Sequence, residues 1–224
     1  MAWYIQTILL DEDRPKARLT PETLAAYENV CAAMTAEYQK LPRDNPLWDT
    51  ESVQMIKGYD IPEFEPRVVI VKRRALPLPD IISTGDGWLV SNKVRQEIER
   101  IEPGRHRFLP TALEFDTGER EIDLWSFLII RGRVDCVALE ACVNVFKRVY
   151  NPDLPDFFRY LADWSNGTTI ALRRSNIEGR AIWYDYRIDR RFISDGFADF
   201  IQRENIRGWR LTTWDRPNRA IEVD

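Results

Sequence analysis

The 224-residue chain carries 32 Lys and Arg against 36 Asp and Glu, a net charge of −4, with 44% hydrophobic and 30% charged residues. That balance is typical of soluble globular proteins and gives no basic excess for a phosphate backbone, so nucleic acid is not expected as a partner. A chain this long buries roughly 70–75% of its unfolded surface without staples, and Cys31, Cys136 and Cys142, at no metal or redox spacing, read as free thiols of a reducing compartment.

The opening "MAWYIQTILLDEDRPK" has no basic leader and only a short apolar run, and no stretch approaches the roughly 20 apolar residues of a membrane span. A cytoplasmic location without a membrane partner is expected. "WYIQTILL" reads as a first strand. "LTPETLAAYENVCAAMTAEYQKL" reads as a long helix, with Thr20 as cap, Pro21 at the first position and Pro42 as stop. Leu24, Tyr27, Cys31, Met34 and Tyr38 recur on one face of it. Residues 42–66 read as an irregular wrap rich in Pro, Asp and Asn, with a short strand near Met55.

"RVVIVKRR" is expected to be a strand and "ALPLPDII" an extended segment, since each residue before Pro is pushed out of the helical region. "WLVSNKVRQEIERI" (88–101) then has a near copy in "RFISDGFADFIQRE" (191–204). Ser91 and Ser194 are 103 positions apart, Val94 matches Phe197, and Ile98 matches Ile201. Each copy reads as a strand, a Ser cap and a short amphipathic helix leading to a return strand. Between the copies, "FLPTALEF" and "REIDLWSFLII" form a hairpin around "DTGE", and "RVDCVALEACVNVF" reads as a further strand. "LPDFFRYLADWSNG" is read as one or two helical turns. "TTIALRR" and "AIWYDYRI" are strands flanking the turn "SNIEG", and "WRLTTW" closes as a strand. The sum is α+β: mixed, mostly antiparallel sheets with a long N-terminal helix and two short Ser-capped helices. Residues 1–75 hold the first strand, helix and wrap, residues 76–224 the core, and the two are expected to make one compact unit.

The chemistry is sparse. His106 is the one histidine, in "PGRHRF", with no neighbouring carboxylate in sequence to orient it, and reads as an exposed or hydrogen-bonded loop residue. "GDG" (85–87) reads as a tight turn, because no phosphate-loop pattern follows it. No metal and no cofactor are expected. Glu119, Glu121 and Asp123 alternate on one strand face, which points to a wet surface. Trp183, Tyr184, Asp185 and Tyr186 are the candidate partner-binding residues, read as an aromatic and acidic ledge.

The order "PLPDII…GWLVSNKVRQEIERIEP…FLP", "VDCVALE", "TIALRR…AIWYDYRI" and "FISDGFADFIQRENIRGWRLTTW" resembles immunity family eleven of bacterial polymorphic toxin systems, over roughly residues 76–214. The long helix and wrap at 20–66 look larger than a minimal member needs. The resemblance implies a non-catalytic protein that binds and neutralises a cognate toxin, a basic one being the kind that acidic residues would steer, as a monomer or homodimer. No catalytic residue comes with it. Two other readings stand beside it. One is an interaction or secretion-accessory module outside toxin biology; the other is a hydrolase using only Glu119, Glu121, Asp123, Asp185 or Asp189.

Overall fold

The structure is a computed structural model that describes residues 1–7, 17–42, 45, 53–54, 57–62, 64–70, 78–85, 87–149, 152–153, 155, 158–163, 167–213, 216–217 and 219–224. The helices among them are α1 (Pro21–Tyr38), α2 (Asn92–Ile101), α3 (Arg174–Ile177) and α4 (Asp195–Arg203). Two six-stranded sheets carry the described fold. The first, sheet A, runs in the order Ala171–Arg173, Arg219–Val223, Ala2–Tyr4, Arg190–Ser194, Ile182–Asp185, Arg133–Val134. The second, sheet B, runs Ala17–Leu19, Arg67–Ile70, Arg107–Phe115, Arg120–Ile129, Trp88–Ser91, Ile81–Ser83. Most neighbours are antiparallel, with parallel pairs at Ala171/Ile221, Tyr184/Arg133 and Arg67/Ala112. The fold is α+β, as the sequence pattern indicates.

Each sheet is covered on both faces. Trp88, Val90, Leu128 and Ile130 of sheet B, and its extension, face a central core that also takes Trp3, Ile182 and Ile193 of sheet A. Leu89, Phe127 and Ile129 turn the other way, toward Tyr27 and Cys31 of α1. Ala2, Trp183 and Phe192 turn toward a third core with Cys136, Val137 and Leu172. Burial on both faces explains why "FLII" and "AIWY" are continuous apolar runs without the alternation of a half-exposed strand.

The two near copies meet in the central core. In each, a hairpin (Ile81–Ser83 with Trp88–Ser91, Ile182–Asp185 with Arg190–Ser194) feeds a helix. Val94 and Ile98 of α2 and Phe197 and Ile201 of α4 are buried in the same cluster. Lys93 Nζ at the start of α2 reaches Glu204 Oε2 at the end of α4, 2.9 Å away. The caps differ. Ser194 Oγ accepts from the Phe197 N–H at 3.3 Å, whereas Ser91 caps nothing and donates to Asp80 Oδ1. The return strands differ too: after α2 comes the nine-residue Arg107–Phe115, after α4 only Trp209–Arg210, paired with Gln6–Thr7.

α1 has Thr20 as its cap, bonded to the Thr23 N–H, and its Tyr27 and Cys31 are buried with Leu24, Met34 and Tyr38 packed beside them. Met55 lies outside the described residues, as do residues 71–77. Three segments depart from the sequence expectation. "RVDCVALEACVNVF" is not one strand: Arg133–Val134 ends early, a 3-10 turn spans Leu139–Ala141, and Val145–Val149 begins a separate ribbon. Phe158–Ala162, within the stretch read as helical turns, is a strand that pairs antiparallel to that ribbon strand. "RSNI" of the expected turn is the helical α3. The C-terminal Arg219–Val223, not recognised in the sequence, completes sheet A beside Ala2–Tyr4.

Candidate partner-binding surface

Asp185 organises the hairpin turn that was expected to be a ledge. Its carboxylate is completely buried, and donors surround both oxygens. Oδ1 accepts from the Arg187 and Ile188 N–H groups at 2.8 and 3.0 Å, and Oδ2 accepts from the Cys136 N–H at 2.7 Å and the Cys136 thiol at 3.1 Å. Such a local Asp-to-backbone bond shapes the chain reversal. Tyr184 Oη donates to Asp189 Oδ1 at 2.7 Å on the far side of the turn. The exposed ledge does not form: Trp183, Tyr184 and Asp185 are 0% exposed, and of the four candidates only Tyr186 reaches the surface. The tyrosines and Trp183 do not separate into a wet and a dry face because sheet A is covered on both sides.

Beside the turn runs a ladder of rings and cations, built over the buried Tyr59 and half-buried at its other rings. Tyr38 of α1 stacks on Tyr59 at 5.6 Å. The Arg133 guanidinium lies over Tyr59 at 4.3 Å and over Tyr186 at 5.4 Å. Arg187 lies over Tyr186 at 5.0 Å and over Phe158 at 4.0 Å, and Lys147 caps Phe158 at 3.9 Å. Arg133 also donates to the Lys57 carbonyl, and Arg187 to the Phe158 carbonyl. Each cation over a ring contributes about 0.5–2 kcal/mol depending on desolvation. The members come from segments near residues 38, 59, 133, 147, 158 and 186, so no local pattern could have revealed the ladder.

Of the two readings of the loop residue His106, exposed or hydrogen-bonded, the second holds. Its side chain is fully buried, with Nε2 2.7 Å from Glu102 Oε2, while Nδ1 accepts the Arg131 N–H at 3.2 Å. With that backbone donor on Nδ1, Nε2 is the nitrogen that donates to Glu102. Glu102 Oε2 also accepts from the Ile182 N–H of sheet A. The pair therefore ties the end of α2 to the opposite sheet, and both ring nitrogens are engaged. The orienting carboxylate is present after all, four residues back, across the Pro103-Gly104 break that hid it in sequence. Burial pushes the Glu102 carboxyl up, but the hydrogen bond from His106 and the N–H groups of Ile182 and Ala181 hold it below the ordinary value on balance.

This has a pH consequence. Between the lowered folded value and the unfolded one near about 4.3, the unfolded chain binds more protons. Stability from Glu102 is therefore complete above that range and lost as pH falls. Glu102→Gln should lower the urea midpoint at neutral pH and flatten its decline on acidification. Parallel acid limbs for the two proteins would refute this role.

The remaining chemical candidates do not assemble. Glu119 is exposed on the sheet B hairpin, and Glu121 accepts from Trp125 Nε1 at 3.0 Å; nothing is described of the Asp123 side chain. Asp185 and Asp189 belong to sheet A and its turn. Burial first, then the Asp185 charge, pushes the Cys136 thiol far up, away from thiolate reactivity. Thr84 and Gly87 close "GDG" as a tight turn, with the Gly87 N–H on Thr84 Oγ1. Among the described residues no group of three His, Cys, Asp or Glu could hold a metal. No helix among them is long and apolar enough to cross a membrane.

The geometry thus presents a two-sheet scaffold with partly exposed aromatic and cationic side chains beside the Asp185 turn. The model of the immunity protein family (Imm11) matches residues 13–215, and the chain belongs to that family. Its role is therefore toxin neutralisation in general terms. The match begins well before residue 76 and takes in α1 and the wrap. No curated protein matches the chain.

Proposed function

We propose that the chain binds one cognate protein toxin and neutralises it by covering the toxin's active surface, without catalysing a reaction itself. The observation that carries this reading is the family match over residues 13–215. The buried polar groups support it: Glu102, His106 and Asp185 are bonded internally and hold the scaffold rigid. An inhibitor needs such rigidity and a complementary surface of about 1,600 Å² in total. The chain acts as one cytoplasmic unit, monomeric or homodimeric, with no cofactor, nucleic acid or membrane. Of the candidate residues, Tyr186 touches the partner, while Trp183, Tyr184 and Asp185 support it from behind.

The test is co-expression with the product of the immediately upstream gene, read by co-purification and by growth rescue. A tight one-to-one complex together with rescue is the expected result. Binding without rescue would move the protein to an accessory role, and no binding would remove the reading.

A further inference from the structure

Each of the two near copies closes its own hairpin in the same way. The Ser91 N–H donates to the Asp80 carbonyl at 2.8 Å, and the Ser194 N–H donates to the Ala181 carbonyl at 3.0 Å. Asp80 and Ala181 immediately precede the first hairpin strands, Ile81–Ser83 and Ile182–Asp185. The next N–H group in each copy then crosses to the other copy. The Ile182 N–H donates to Glu102 Oε2, just past α2, at 3.1 Å. The Ile81 N–H donates to the Arg207 carbonyl, just past α4, at 3.0 Å.

The relation is isologous within one chain. The first copy's hairpin is held by the segment that follows the second copy's helix, and the reverse holds for the second hairpin. Each crossing also carries a carboxylate. Glu102 is itself the acceptor in one, braced by His106 Nε2 at 2.7 Å and Arg105 Nε at 3.0 Å. In the other, Asp80 Oδ2 accepts the Arg207 N–H and Oδ1 accepts the Ser91 hydroxyl, both at 3.3 Å. Val94 and Ile98 of α2, Phe197 and Ile201 of α4, Trp88 and Trp209 all belong to the one core that both hairpins enter. Close packing means that a hairpin leaving this core strips contacts from both helices at once.

We propose that the two crossings form a double latch: neither hairpin leaves its place unless the other does, so the facing layers of sheets A and B open together. The latch belongs to the scaffold and stands apart from the toxin-binding reading.

Hydrogen exchange of the full chain, followed amide by amide by NMR at neutral pH, is the test. Glu102→Gln replaces a charge-assisted acceptor with a neutral one of about half the strength. It should speed exchange by about fivefold or more at Ile182, its own amide, and equally at Ile81, the amide of the other crossing. Asp80→Asn should do the same to both. The amides of Val68, in the core shared with α1, and Leu172, in the third core, should change by less than about twofold. A rise confined to the nearer amide would show two independent bonds. An equal rise at all four would show global unfolding alone, and no rise would show that the carboxylates hold nothing. Each of these three results overturns the double latch. If Glu102→Gln fails to fold, exchange at Ile182 in Asp80→Asn decides alone.

Discussion

Asp185→Ala should destabilise the protein by about 3 kcal/mol or more, because each buried donor deprived of its acceptor costs about 1–3 kcal/mol. The donors left behind are the N–H groups of Cys136, Arg187 and Ile188. For a chain of this size the loss corresponds to a fall in Tm of about 6–12 °C. Asp185→Asn should recover only part of it. Both carboxylate oxygens face donors, so an amide NH2 group must point at one of them wherever it turns. Burial pushes the Asp185 carboxyl up, the N–H groups of Cys136 and Ile188 pull against it, and the balance is upward. The folded state therefore binds more protons than the unfolded state between the two values. This contribution is full below the unfolded value, near about 3.9, and declines as pH rises through the folded one. The deficit of Asp185→Ala relative to wild type should accordingly shrink as pH rises. Calorimetric melts across pH would decide, and a deficit that grows with pH would refute the assignment.

Gly208→Ala should be more damaging still. Gly208 has φ +127°, and a Cβ there would stand 2.0 Å from the Ile81 carbonyl oxygen and 2.8 Å from its carbonyl carbon. The obstacle is backbone, so no rotamer relieves it. The backbone cannot retreat without cost either, because Ile81 N–H bonds the Arg207 carbonyl at 3.0 Å and the Arg207 N–H bonds Asp80. The same crossing sets Trp209 against Trp88, 4.8 Å between ring centres, where the second copy's return strand enters the central core. A loss above about 4 kcal/mol is expected, a large share of the stability of an ordinary domain. Gly85→Ala is the control: its φ is +92° but its Cβ would meet nothing. It should lose only the strain of an unfavourable backbone region, about 1–3 kcal/mol. Similar soluble yields and melting temperatures for the two variants would show that the Ile81 contact is not what requires glycine.

These local devices are joined to the surface they support. Asp185 holds the turn that sets Tyr186 and Arg187 in the ladder, and Arg187 in turn grips the Phe158 end of the ribbon.

Local chemistry by itself determined the α+β class, the span and cap of α1 and the two repeated strand-and-helix units. Those rest on signals within a few residues: Thr20-Pro21, the three- and four-residue apolar steps, and the turns at "DTGE" and "GDG". The family, too, was legible in the order of apolar segments. The ribbon, the burial of Trp183–Asp185 and the Glu102–His106 tie were decided only in three dimensions. An extended segment declares itself through its partner, and Phe158–Ala162 finds that partner about a dozen residues away in Val145–Val149. A charged or aromatic alternation reads as a surface until a second layer covers it, and here sheet A is covered on both faces. Burial depends on what packs against a strand from elsewhere in the chain, so no local pattern can specify it.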